Sequence, residues 1–314
     1  MPAVTVADVL ALPRIVTPAI GSARPVLGIV QAVRALEGAG FEVWRGFAGL
    51  DLRAIDPFVL LDQLGPTYNE PGAAKGAPWH PHRGFETVTY IIDGEIAHHD
   101  SHGGGGLIAD GDTQWMTAGS GILHDEVPSE RVLRTGGVTH GIQLWVNLPQ
   151  RLKFIEPAYQ PIVGRDLTLL ASPDGGAFVR LVAGRIGDAE GPGSTHSPIT
   201  LAHATIEPGA QLVVPWDPRY CAMAYALSGS GRAGDEGQPF GAHQLAYFGD
   251  GDSVSVRADD TMRDGTDAFD VLLLGGLPIR EPIVHYGPFV MNTKQEIIDA
   301  IDDFNAGRMG TIPT

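Results

Sequence analysis

Between Thr87 and Ile92 the chain reads Thr-Val-Thr-Tyr-Ile-Ile, a β-branched and aromatic run that predicts a strand, and Asp93-Gly94 follows it as a hairpin turn. The same grammar recurs on both sides. Phe41-Glu42-Val43-Trp44 alternates like a half-exposed strand, and Phe58-Val59-Leu60-Leu61 is a short apolar run of the buried kind. A Pro- and Gly-rich stretch from Gly65 to Pro78 reads as a loop. Glu95 to Ser101, Leu107-Ile108, Gln114-Trp115-Met116 and His140 to Leu148 read as further strands, separated by His102 to Gly106, Gly111-Asp112 and the corner Ala118 to Gly121. Strands at intervals of about ten residues, each bounded by Gly or Asp, predict an all-β sandwich or barrel.

The second half repeats the first. Tyr90-Ile91-Ile92-Asp93-Gly94 has a counterpart in Tyr225-Ala226-Leu227-Ser228-Gly229. Run backward, that register sets Pro215 and Asp217 where His80 and His82 stand; run forward, it brings Val254 and Val256 near the places of His124 and Glu126. Two tandem barrels follow, with only the first carrying ligand side chains. The expected division is an arm over 1–24 with one helical turn near Val6 to Leu12 and prolines at 2, 13 and 18, with Pro25 just beyond it, a first barrel over 25–155, a second over 156–292, and a helix and tail over 293–314. That helix opens on a capping box, Thr293-Lys294-Gln295-Glu296, places Ile297, Ile298, Ile301 and Phe304 on one stripe, and stops at Gly307.

Composition narrows the function classes. At 43% hydrophobic and 18% charged residues, the 314-residue chain has ample material for two cores, and its 42 Gly and 24 Pro suit many short strands and turns. A formal charge of −16 with no basic patch disfavours contact with nucleic acid or anionic membranes. The single Cys221 sits in an apolar run and reads as core, and with no secretory or membrane-spanning pattern the chain is expected to be soluble and cytoplasmic.

The chemistry lies between His80-Pro81-His82 and His124-Asp125-Glu126, each offering two ligand side chains at i, i+2. In extended segments that spacing turns both side chains to one face, so two facing strands would gather three imidazoles and a carboxylate. A thiolate-free, imidazole-rich set suits one divalent transition metal, Fe(II) favoured with Ni, Cu, Co, Mn or Zn as alternatives, and leaves positions open for small molecules. Glu126 can also serve as a base toward a substrate hydroxyl. Glu86 has two readings, a cavity-facing ligand or acceptor, and an ion pair with Arg83 or Arg45. At most one of the adjacent His98 and His99 can point inward, and both are read as structural, as are His140, His196, His203, His243 and His285; Trp115 and Met116 are read as core or pocket wall.

The stretch His80-Pro81-His82-Arg83-Gly84-Phe85-Glu86, with Gly111-Asp112, Gln114 to Gly119, His124 and Gln143-Leu144-Trp145-Val146-Asn147-Leu148-Pro149, resembles the signature of the pirin family within the cupin superfamily. Asp56-Pro57-Phe58 and Gly287 to Asn292 extend the likeness. The resemblance implies a bicupin whose single metal is held by His80, His82, His124 and Glu126. For bacterial members it implies quercetin 2,3-dioxygenase activity toward a small aromatic substrate and O2. For eukaryotic members it implies non-enzymatic, metal-responsive regulation through a protein partner. The proline-rich arm and Trp79 depart from the family pattern.

Overall fold

A computed structural model describes residues 2, 4–16 and 21–312; Pro18 of the expected arm lies outside them. Two antiparallel barrels stand side by side, each a seven-stranded sheet closed over a four-stranded one. In the first, the large sheet runs in the order Ala158–Ile162, Thr113–Thr117, Phe85–Asp93, Gly137–Asn147, Phe58–Asn69, Phe41–Arg45, Val33–Glu37, and the small one Ala77–His82, Ile122–Pro128, Ile96–Asp100, Gly105–Ile108. The second repeats the plan with Val26–Gln31, Gln244–Phe248, Ala222–Ser228, Phe269–Gly276, Ile199–Ile206, Ala177–Ala183, Thr168–Ala171 over Gln211–Pro215, Ser253–Ala258, Ser230–Ala233, Gln238–Gly241.

The sheets do not divide where the sequence suggested. Val26–Gln31 pairs with Gln244–Phe248 of the second barrel, and Ala158–Ile162 pairs with Thr113–Thr117 of the first. Each barrel therefore takes an outermost strand from the stretch expected to belong to the other, and the open edge of each large sheet moves onto that strand. The expected loop from Gly65 is also shorter, because Phe58–Asn69 continues through it before Ala77–His82 begins. The short helix Glu130–Thr135, N-capped by Ser129, was not anticipated.

Alternation along the strands assigns the layers. Val88, Tyr90 and Ile92 face away from the first barrel's interior and pack with Met223, Tyr225 and Leu227 of the second in one apolar layer between the large sheets. The two repeated tyrosines reach across it in opposite directions. Tyr90 meets His203 Nδ1 at 3.0 Å, and Tyr225 donates to Gln63 Oε1 at 3.1 Å. Alternate residues point into the barrels, and there the halves diverge. Ala222, Ala224 and Ala226 join Val254, Val256 and Phe240 in an apolar core, whereas the first barrel turns Thr89 and Gln143 toward Glu126.

The capping box forms as expected at Thr293 and Glu296, and the helix runs Lys294–Asn305. Its buried side is Ile297 and Ala300 with Ile301 beside them; Ile298 and Phe304 face solvent, so the expected stripe is rotated. This side packs on Leu123, Phe289 and Met291, pinning a strap, Val284–Tyr286 and Phe289–Met291, across the first barrel. The N-terminal arm lies on the second barrel through Ile15 N donating to Ala171 O, with its turn at Val9–Ala11.

Candidate metal centre

Ala77–His82 and Ile122–Pro128 are neighbours in the small sheet, with His80 directly opposite His124 and His82 opposite Ile122. His80 Nε2 lies 3.0 Å from both His82 Nε2 and His124 Nε2. These three form a group whose ligating atoms all fall within 4.8 Å of one another. Glu126 is outside the group. The register irregularity lies on the neighbouring strand, where three steps from His80 to Ala77 match two from His124 to Glu126, while the pairing of His124 and Glu126 with Asp100 and His98 stays regular, so Glu126 keeps the face of His124. Its carboxylate is instead gripped from the large sheet, Oε1 2.8 Å from the Thr89 hydroxyl and Oε2 accepting from Gln143 Nε2 at 3.0 Å.

The donor set fits a cation. His80 Nδ1 donates to Pro78 O at 2.7 Å and His82 Nδ1 to Pro288 O at 3.4 Å, and a carbonyl can only accept. Each neutral ring then turns a bare Nε2 inward. Lone pairs 3.0 Å apart repel unless a positive charge sits among them. Protonation is a poor remedy, because burial and then the neighbouring imidazoles hold His82 and His124 well below the ordinary histidine range. His124 Nδ1 is buried without a hydrogen-bond partner among the described residues. Burial also raises Glu126 above the usual carboxylate range, against the opposing hydrogen bond from Thr89.

A cleft of about 770 Å³ opens beside the cluster, reaching from His80, His82 and Glu126 out to Trp79, Trp145 and His285. Trp145 stacks edge-on to His82 at 5.2 Å and to His285 at 5.7 Å. His285, read from sequence as merely structural, is thus part of the wall. Sequence reasoning also missed Thr89, Gln143 and Pro288. The polar parity of Thr87 and Thr89 within an apolar strand was an available signal for the first; nothing local announces a carbonyl some two hundred residues away.

The other candidates resolve otherwise. Glu86 is buried with Oε1 accepting from Thr117 at 2.9 Å, and burial pushes it up to about 7. It belongs neither to the histidine group nor to an ion pair, since Arg83 bonds Asp303 while Arg45 bonds Asp62 and Glu37. Of the adjacent pair, His98 is buried and His99 is exposed beside Asp125. Trp115 and Met116 are core. In the second barrel the equivalent cross-strand pairs are Leu212 with Val256 and Val214 with Val254. Leu212 and Val214 therefore replace His80 and His82, three residues before the positions the sequence register gave. Val256 replaces His124 and Ala258 replaces Glu126. The longer link from Trp216 to Cys221, against Arg83-Gly84 in the first barrel, causes the shift.

Comparison with known proteins converges on one family. Its profile, described as Pirin, matches residues 40–146, and a second, described as Pirin C-terminal cupin domain, matches 201–310. A Pseudomonas aeruginosa protein provisionally named a quercetin 2,3-dioxygenase is 41% identical over 289 residues, 91% of this chain and 98% of its own. Human pirin is 37% identical over 294 residues, 93% of this chain and 96% of its own. The crystal structure of a quercetin 2,3-dioxygenase from Acinetobacter baumannii superposes with a TM-score of 0.86 at 36% identity, covering 93% of this chain and 100% of that one.

Proposed function

The chain belongs to the pirin family of the cupin superfamily, with two cupin domains, and on that premise we propose that it is a metal-dependent dioxygenase acting on flavonol-like phenols such as quercetin. The observation that carries this reading is the convergence of three imidazole Nε2 atoms at the wall of a cleft of about 770 Å³, with a gripped carboxylate beside them. His80, His82 and His124 hold the ion, and Glu126 is the fourth donor or, when it turns away, the base. When bound, a divalent transition metal, Fe(II) first, supplies Lewis acidity toward a phenolic hydroxyl and a redox partner for dioxygen.

The chain's own part is binding and proton handling. Trp79 and Trp145 offer flat apolar walls to a planar aromatic. The substrate's 3-hydroxyl gives its proton to a Glu126 carboxylate oxygen. Burial has made this carboxylate a stronger base than a solvated one, and Thr89 and Gln143 keep it aimed. The ring then opens with uptake of O2 and release of carbon monoxide.

The test is anaerobic reconstitution of metal-free protein with Fe(II), Ni, Cu, Co, Mn or Zn separately, then quercetin turnover in air with carbon monoxide detection. Turnover with one ion, lost in His80→Ala and Glu126→Ala, is the expected result. Tight metal binding with no carbon monoxide for any ion contradicts the enzyme reading and leaves the regulator.

A further inference from the structure

We propose that Lys153 is a positioning residue for the metal centre, its ammonium clamping the Phe289–Met291 strap onto the turn that leaves His82 and so holding the Pro288 carbonyl against the His82 ring. The inference rests on the metal-binding reading and is independent of which reaction the ion serves.

Lys153 is 1% exposed, and its three ammonium protons go to Gly84 O at 2.8 Å, Asn147 Oδ1 at 2.7 Å and Val290 O at 2.8 Å. None of the three acceptors is a carboxylate. A cation buried with no carboxylate among its hydrogen-bond acceptors is costly, so its retention asks what a neutral side chain could not do there. Two of its acceptors are carbonyls from segments about two hundred residues apart, whose dipoles point at one atom and repel without it.

Each segment leads directly to His82. Gly84 follows it by two residues at φ +88°, and a Cβ there would come 2.2 Å from Val290 O, so the strap lies against this turn with no room between. Val290 N donates to Arg83 O at 3.1 Å, and Arg83 N reaches Pro288 O at 3.4 Å. Pro288 O is the acceptor that fixes the His82 tautomer. Without the ammonium, the strap loses its strongest tie to the turn, and the His82 Nδ1 contact, already long, is the first to open.

The experiment uses the full chain with Co(II) alone. Affinity is measured by chelator competition, the bound ion by its visible spectrum, and stability by the melting of the metal-free protein. Lys153→Met should bind Co(II) about 10- to 100-fold more weakly, in the range found when partners of metal-ligating histidines are removed. Its Co(II) spectrum should change, and Lys153→Arg should recover part of the affinity. Leu273→Ala, a cut in the second barrel's core, should melt lower yet keep wild-type affinity and spectrum. Lys153→Met that melts lower but binds Co(II) with wild-type affinity and spectrum overturns the proposal. If Lys153→Met does not fold, Asn147→Ala, which removes one acceptor, should weaken Co(II) binding by about 3- to 10-fold, and unchanged binding overturns the proposal equally. Wild-type protein that binds no Co(II) overturns the metal reading itself, and the role of Lys153 with it.

Discussion

The two barrels share a strand plan and differ in what fills it. At one cross-strand place the first barrel sets His80 against His124 and the second sets Leu212 against Val256; one step along, His82 lies opposite Ile122 and Val214 opposite Val254. The backbone is indifferent to the choice. In the second barrel the interior closes into an apolar core that stabilises by burying apolar surface. The first gives that stabilisation up at the same place to hold bare imidazole nitrogens and a gripped carboxylate. A scaffold repeated twice thus gathers metal-ligand types in the interior of one copy and apolar side chains in the interior of the other, while both copies build the apolar layer between them.

The sharpest way to break this comparison is to make the first barrel resemble the second. His124→Val should reduce metal affinity by at least about three orders of magnitude, since it removes one of three imidazoles from a buried site. Equilibrium dialysis measures it, and retention of tight binding would show that the ion sits elsewhere. Next in size, Glu126→Gln should keep the ion, with affinity within about tenfold of wild type, while kcat for quercetin falls by about 10²- to 10⁴-fold, the usual contribution of a positioned base. Equal loss of both would make Glu126 a ligand only.

The converse exchange is smaller and measured as stability. Leu212→His with Val256→His puts two imidazoles into an apolar core and should lower metal-free stability by about 2 to 5 kcal/mol in denaturant titrations. Co(II) should restore part of the loss if the scaffold is as indifferent as it looks.

The smallest effect is one of pH. His82 and His124 are held below their unfolded value near 6.5, so their neutral forms contribute stability that is present above that value and lost as pH falls toward their folded values. His140, lowered to about 4, and His203 act in the same direction. Glu86, raised to about 7, and Glu126, also raised, oppose them over the same window, so the melting temperature of metal-free protein should show only a small net fall between about pH 7 and pH 5. Metal-loaded protein should show a shallower slope, because two of the four imidazoles are then blocked from protonation.

Much of this was legible in the chain. The period-two runs, the Asp-Gly and Gly-rich turns, the repeated Tyr-centred strand and the capping box are local signals, and the strands, barrels and closing helix followed from them. The pairing of His80 with His124 was legible because i, i+2 spacing in strands leaves one arrangement that gathers the side chains. What failed was set by tertiary register. The grip of Thr89 and Gln143 on the Glu126 carboxylate comes from the opposite sheet and depends on how the two sheets face each other. The edge strands exchanged between barrels, and the Pro288 carbonyl on His82, are contacts between distant segments with no local mark. Glu86 misled because even parity places a side chain on a face without saying which face is the cavity.

The most direct test of the account is metal content and ligation in the reconstituted protein, by elemental analysis alongside X-ray absorption at the metal edge. The account predicts one ion per chain with scattering from three imidazoles, abolished by His80→Ala and unaffected by Leu273→Ala in the second barrel. Two ions per chain, or one ion without imidazole scattering, would contradict the division of labour between the two barrels.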